Sequence, residues 1–517
     1  MLFYRICGVV CILIGISMTT FQLIWVRVKE IILAQLPLIE GTVMYKSWLS
    51  PTLLTYSCYL FNVTNPDGVM RGDKPNLVES GPFVYNEIFQ RHVLDIDEEM
   101  DEITYVTKSL YNFNKDLSIN VSKHDKVTIL NPAYIGTIAL VTTVPPDFMK
   151  KYGNHIPKLF PNRSSIFLTA RPTDILFNGV KVMCNIKKFP ELSQVCNTMK
   201  ANPPPVLKES DKEDVFLLSL FQRLNDTYRG PFTINRGHKN ITKLGDTAAY
   251  KGRRVQKIWS GESCNTVKGT DTVTWPPIIK PLPFVSTFIP DLCRSIEADY
   301  VGNVWVKGLM GSRFAMKERI WLSNDTKCYC LLENHVPQCL PRGLIDVSVC
   351  QNVPAIISEP HFLHGDPELL TYARGLKPDE RIHQTFINIE PHTGTPLSGT
   401  KKMQVNLKLM KQPVDLLSNV SEGYFPILWC ENGSSPTLSV IAYTYQTLRL
   451  IKMIWFLEKV PLIVGIYMVL MSMLYCDQTK RKVQPIASPI ESILLSSDSE
   501  SNNAVRRTSR RFAQAFE

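Results

Sequence analysis

The residues able to do chemistry in this chain are its cysteines, its histidines, its asparagine sequons and one run of cations. There are 13 Cys. Six form a block, Cys264, Cys293, Cys328, Cys330, Cys339 and Cys350, and none sits in the paired C-x2-C knuckles of a zinc site. Cys328 and Cys330 cannot easily bridge to each other, so each must bond elsewhere. So many cysteines suit an oxidising compartment. Cys184 and Cys196 form a candidate extra bridge, while the pairing of Cys58 and Cys430 is open. His361 and His364, with Glu359 and Asp366 nearby, suggest a two-histidine metal site, with a role in the core or at a strand end as the alternative. There is no G-x-S-x-G, H-E-x-x-H, G-x-G-x-x-G or G-x-x-x-x-G-K-[ST]. We expect neither catalysis, nor a metal, nor a cofactor.

Sequons N-x-S/T occur at Asn62, Asn120, Asn162, Asn225, Asn240, Asn324, Asn419 and Asn432 and mark candidate glycosylation sites. Residues 144–208 hold ten Lys or Arg against three acids, a net of +7 out of a chain total of +10. Lys150, Lys151, Lys158 and Arg163 open this run and are candidate ligand-binding residues, because a concentrated basic surface attracts anions. A solvated face is the alternative. Asp95 to Glu102 holds six acids in eight residues, and the same alternative applies.

These groups must be positioned by a chain of 517 residues, 44% hydrophobic and 20% charged, which excludes wholesale disorder. Mean hydropathy is −0.03, which disfavours a many-pass transporter. Residues 6–26 and 457–476 read as two transmembrane helices; 21 apolar residues rise roughly 30 Å, the thickness of the hydrocarbon layer. Lys480, Arg481 and Lys482 put the tail, 477–517, in the cytoplasm. By parity residues 1–5 are cytoplasmic too, and 27–456 form a glycosylated, disulfide-bonded ectodomain. The basic run lies across the membrane from nucleic acid, which removes that partner. Cys7 and Cys476, near the cytoplasmic ends of the spans, are candidate palmitoylation sites, with buried or interfacial thiols as the alternative. Within the ectodomain, Val405, Leu407 and Leu409 alternate with Gln404, Asn406 and Lys408, the period of half-buried antiparallel strands. Helix is expected at Asp214 to Leu224 and Pro190 to Met199. The fold class is α+β with a mainly antiparallel sheet.

The cysteine block, two-span topology and several short motifs resemble the class B scavenger receptors, the group of the fatty-acid translocase, the lysosomal integral membrane proteins, croquemort and the sensory neuron membrane proteins. The motifs include Phe61-Asn62-Val63-Thr64-Asn65-Pro66, Glu79-Ser80-Gly81-Pro82-Phe83-Val84-Tyr85, Asp291-Leu292-Cys293-Arg294-Ser295, Pro360-His361-Phe362-Leu363, Glu390-Pro391-His392-Thr393-Gly394 and Pro426-Ile427-Leu428-Trp429. The resemblance implies the pairs Cys264–Cys328, Cys293–Cys350 and Cys330–Cys339. It also implies an antiparallel β-barrel core, an apical helical bundle formed by the 144–208 segment, and an apolar tunnel through the ectodomain. It marks Pro360-His361-Phe362 as a structural motif, which favours the core role for that histidine. Glu359 stands where the family often carries an apolar residue, and the tail is longer than usual.

The implied function is a receptor that binds lipid, lipoprotein or another anionic ligand at the apex and passes lipid through the tunnel. A plasma-membrane location is expected, with endosomal or lysosomal membrane as the alternative. An endocytic or adhesive receptor without lipid transfer, and a two-span channel subunit, stay as rival readings. Assembly as a homo-oligomer is open.

Overall fold

Eleven strands follow one another around a single antiparallel sheet in the computed structural model of the chain, which describes residues 2–142, 146–277, 282–318, 328–333, 336–434 and 438–482. They are β1 (Thr52–Val63), β2 (Leu77–Asp97), β3 (Glu102–Phe113), β4 (Tyr228–Asn235), β5 (Thr247–Tyr250), β6 (Phe284–Ile289), β7 (Arg294–Val306), β8 (Leu309–Ala315), β9 (Phe386–Ile389), β10 (Pro396–Leu409) and β11 (Gly423–Ser434). Their spatial order is β5-β4-β3-β2-β1-β11-β10-β9-β8-β7-β6. Thr270 bridges the two ends, pairing with Asp246 beside β5 and with Thr287 in β6, so the sheet is nearly closed into a barrel. Closure removes the exposed edges that an open sheet of this size would present.

The strand sequences suit that role. β1 (TLLTYSCYLFNV) and β3 (EITYVTKSLYNF) are rich in β-branched and aromatic residues. β10 is long enough to serve two neighbours besides β11: its first half pairs with β9 and its second half with a short strand, Ile356–Ser358. A separate layer over this outer face is built on Leu344, Ile356, Phe362 and Leu369.

Two expectations are corrected here. Gln404 and Asn406, expected on a solvated face, are fully buried. The outer layer covers them, and they are paired: Gln404 donates to Asn406, Asn406 donates to Ile356 O (3.1 Å) and Ser358 Oγ (3.0 Å), and Gln404 accepts from the His361 amide (2.7 Å). The second correction concerns Asp214 to Leu224, which is not a helix. Val215–Leu218 is a strand between Val180–Met183 and Leu207–Glu209, and only Gln222–Leu224 makes a short 3-10 turn. Phe216 and Leu218 are buried while Val215 and Leu217 are less so, a period of two that the compact sequence concealed. The basic run is likewise mixed. It contains helices Pro146–Tyr152 and Ser193–Ala201, 3-10 turns Gly153–Leu159 and Pro190–Leu192, and strands Phe167–Ala170 and Val180–Met183.

The chain divides into two units. Lys29–Arg449 forms the barrel and its surrounding layers. The other unit comprises Met1–Val28 and Leu450–Glu517. Its helices belong to Leu2–Leu33 and Leu438–Lys482, each long and apolar enough to cross a membrane, with mean hydropathies of 1.6 and 1.8 over their apolar stretches. A Cβ at Gly465 would lie 2.9 Å from Ile14 Cδ1, so glycine permits the close helix contact there.

Candidate functional site

Alternation along the barrel strands sends one face inward, and that face encloses a cavity of about 1230 Å³. Thr52, Leu54 and Tyr56 of β1, Glu87, Phe89 and Arg91 of β2, Tyr105, Thr107, Ser109 and Tyr111 of β3, and Lys401, Met403, Val405 and Leu407 of β10 all line it. Val405 and Leu407 therefore share one face, as their alternation required, and that face meets the cavity. Further lining comes from Leu36, Val43 and Met44, from Pro132, Ala133, Gly136, Ala139 and Leu140, from Met199 and Val206, and from Val440 and Tyr443. Most of this surface is apolar, the usual character of a small-molecule site.

Three polar stations interrupt it. At the first, Glu87 accepts from Ser109 Oγ (2.6 Å), Tyr111 Oη (3.0 Å) and Asn432 Nδ2 (2.6 Å). At the second, Asp271 accepts from Tyr105 Oη (3.1 Å), and Arg91 donates to the Trp48 carbonyl (2.7 Å) while lying over the Phe89 ring at 4.7 Å. The third centres on Asp291, in the turn between β6 and β7. Arg229 binds its carboxylate directly, Lys401 Nζ lies 3.5 Å away, and Arg223 is close enough to act on its charge. Gln351 ties the station together by donating to the Pro290 and Asp291 carbonyls (3.0 and 3.2 Å) and accepting from Arg223 Nη1 (2.7 Å). Burial alone would raise the Asp291 carboxyl, but Arg229, Lys401 and Arg223 outweigh it and hold the group well below the usual carboxylate range.

A second cluster lies outside the cavity lining. Glu79 Oε2 accepts from Trp429 Nε1 (2.7 Å) and meets His361 Nε2 at 2.8 Å; the His361 and His383 rings are 4.4 Å apart. One ligand atom from each of Glu79, His361 and His383 falls within 4.8 Å of the others, which resembles a metal cage by distance. The proton positions oppose it. His361 Nδ1 accepts from the Lys377 amide (3.1 Å) and His383 Nδ1 from the Asp379 amide (2.9 Å). A neutral imidazole with an accepting Nδ1 carries its proton on Nε2, so His361 turns an N–H, not a lone pair, toward Glu79, and His383 likewise keeps its proton on Nε2. The His361–His364 pairing suggested by sequence does not form. His364 instead lies between Glu359 (2.7 Å) and Glu380 (3.2 Å).

The cysteines form five disulfides: Cys58–Cys430, Cys184–Cys196, Cys264–Cys328, Cys293–Cys350 and Cys330–Cys339. Cys58 and Cys430 are direct cross-strand partners on β1 and β11.

The sequence profile of the CD36 family matches residues 6–476. This chain belongs to the CD36 family. Among relatives of this CD36-family chain are sensory neuron membrane protein 2 of Heliothis virescens, 30% identical over 81% of this chain and 83% of the relative, and sensory neuron membrane protein 2 of Manduca sexta, 33% identical over 77% and 79%. Sensory neuron membrane protein 1 of Apis mellifera is 32% identical over 77% and 76%. Such a chain is a two-pass, scavenger-receptor-type membrane protein.

In this family member two of the four basic candidates, Lys158 and Arg163, gather around one ring. Lys158 is tied to Glu191 (2.7 Å), and with Arg163 and Lys188 it surrounds the Phe189 ring at 5.3, 5.3 and 5.7 Å. Lys150 and Lys151 sit in the helix Pro146–Tyr152, Lys151 over the Tyr152 ring at 5.1 Å. Asn120, Asn162, Asn240 and Asn419 are exposed, and Asn62 and Asn225 are half-buried. Asn324 and the side chains of Cys7 and Cys476 lie outside the described residues. At Asn432 the Nδ2, the atom a glycan would use, donates to Glu87 on the cavity wall. Sequence reading missed Glu79, Arg223, Arg229, Asp291, His383 and Lys401. The available signal for two of them was their place at the head of family-like motifs, Glu79 in Glu-Ser-Gly-Pro-Phe-Val-Tyr and Asp291 in Asp-Leu-Cys-Arg-Ser.

Proposed function

We propose that this CD36-family chain is a lipid receptor that gathers lipid or an anionic lipid particle at the basic 144–208 segment and passes the apolar chain through the barrel cavity to the bilayer. The observation that carries this reading is the cavity itself. Its lining includes residues within or beside the basic segment (Met199, Val206, Leu218), Leu36, shortly after the first apolar helix, and Val440 and Tyr443, near the start of the second. Each methylene that enters such an apolar space from water gains roughly 0.8 kcal/mol, so an enclosed route lets a chain move without renewed hydration. The proposed setting is the plasma membrane, with both termini cytoplasmic and 27–456 outside.

The test is lipid uptake by cells expressing Gly136→Trp or Ala139→Trp, which place bulk in the cavity. Both residues line it, and a Cβ at Gly136 finds its nearest neighbour, Pro354 Cγ, at 3.9 Å. Transfer should fall while surface binding of the particle persists. Equal loss of both would count against a conduit and favour an endocytic receptor. Charge reversal at Lys150, Lys151, Lys158 and Arg163 should lower capture; unchanged binding would remove that step.

A further inference from the structure

The Asp291 station carries more positive charge than it uses. Arg223, Arg229 and Lys401 face the Asp291 carboxylate, and Glu87 lines the same cavity wall. Three cations against two anions leave one positive charge over. Glu87 is already committed to three donors. Asp291 is taken by Arg229 and Lys401.

Arg223 is the group left short. A guanidinium has five N–H donors, and among the described residues this one makes a single hydrogen bond, from Nη1 to Gln351. Its Nε is buried with no acceptor. Lys401 Nζ makes no hydrogen bond among the described residues, and its ion pair to Asp291 is a loose 3.5 Å. A buried cation without a matching acceptor is costly, and guanidinium donors fit a carboxylate or phosphate through two parallel bonds. Apolar wall continues beyond the station, supplied by Leu220, Phe288, Met403 and Val405.

We propose that Arg223, with Lys401, is the specificity-determining seat for the head of the ligand, and that it selects amphiphiles carrying one compact anionic group over uncharged analogues of the same chain length. This deepens the lipid-receptor reading and rests on it. It places head recognition inside the barrel, not on the basic 144–208 surface. Gln351 is then a positioning residue, because it holds Nη1 and leaves Nη2 for the ligand.

The experiment measures equilibrium binding of hexadecanoate, hexadecan-1-ol and methyl hexadecanoate to the full-length protein in nanodiscs, with empty discs subtracted. Wild type should favour the acid by at least about tenfold, the scale of a charge-assisted hydrogen bond. Arg223→Gln should lower acid affinity by roughly tenfold or more and leave the alcohol and ester unchanged. Lys401→Gln should act in the same direction more weakly, and Arg223→Lys should restore part of the loss. The acid preference should survive reversal of Lys150, Lys151, Lys158 and Arg163. Intact alcohol binding reports that a variant is folded; if Arg223→Gln does not fold, Lys401→Gln carries the comparison. Acid and alcohol lost in parallel, no acid loss in either variant, or a preference that vanishes with the four surface reversals overturns the seat. Equal wild-type affinity for all three probes overturns the seat and leaves the lipid reading standing. Binding of none of them sinks both.

Discussion

Replacing Asp291 by Asn removes one negative charge and little else. The amide keeps the shape and can still accept from Arg229. What is lost is the counter-charge for Arg229, Lys401 and Arg223. At 3.5 Å and an effective dielectric near 20, a unit pair such as Lys401–Asp291 is worth roughly 5 kcal/mol before desolvation is charged against it. Desolvation takes back most of that sum, so the pair adds little net stability. Breaking it is different, because three cations then share a wall with Glu87 alone. Removing one partner of a buried pair costs about 3–5 kcal/mol. The Asp291 side chain is 23% accessible, on the wall it shares with the cavity, so solvent screening brings the expected cost to about 2–3 kcal/mol, at or below the bottom of that range. In a unit as large as Lys29–Arg449 each kcal/mol moves Tm by only about 1 °C, so the fall should be roughly 2–3 °C, read by tryptophan fluorescence on the full-length protein.

The pH dependence follows from the depressed Asp291 carboxyl. Such a group contributes its full stability above its unfolded value, near pH 3.9, and loses it as pH falls through the lower folded value. The gap between wild type and Asp291→Asn should therefore stay constant from neutral pH to about pH 5 and close only in strong acid. Hexadecanoate should protect the Asn variant more than wild type, since it replaces the missing charge. An Asn variant as stable as wild type throughout that range would show that the three cations need no carboxylate, and the charge argument for this wall would fail.

Removing the Cys58–Cys430 bridge by a double Ala substitution should lower stability by roughly 2–5 kcal/mol, measured as a Tm shift under oxidising conditions, because it ties β1 to β11 across 372 residues of sequence. The Glu79 cluster should weaken in acid. Burial and then the His361 charge push His383 down to about 4, so its contribution is lost as pH falls from its unfolded value near 6.5 toward 4, and a His383→Gln variant should flatten that limb of a Tm–pH curve. His364 behaves oppositely. Burial lowers it, but Glu359 and Glu380 prevail and raise it, so its stabilisation is complete below about 6.5 and fades as pH rises through the folded value; His364→Gln should remove that fade. Gly394→Ala should destabilise by about 2–4 kcal/mol in chemical denaturation, because φ is +71° there and a Cβ would stand 2.0 Å from the Trp275 carbonyl oxygen.

What could be read from sequence follows from how a barrel distributes polarity. The two long apolar helices and the alternation in β10 were legible, since both are local patterns. Alternation tells which residues share a face but not what each face meets. In β10 the aliphatic side faces a cavity and the amide side lies beneath another layer, so Gln404 and Asn406 are among the most buried residues in the chain. The same ambiguity hides the polar wall. Glu87, Arg91 and Lys401 occupy alternate strand positions, where charged residues ordinarily mark the solvated side. Strand pairing makes that side the interior. The Asp291 station lies deeper still, because it joins Arg223 before β4, Arg229 within β4, the β6–β7 turn, Gln351 and β10. No local period links positions so far apart, and each cation taken alone reads as surface charge. Only closure of the sheet puts them beside one carboxylate. An interior with this much uncompensated charge is a poor way to stabilise a barrel, since an apolar wall would cost less. That cost is better explained by a charged occupant than by folding.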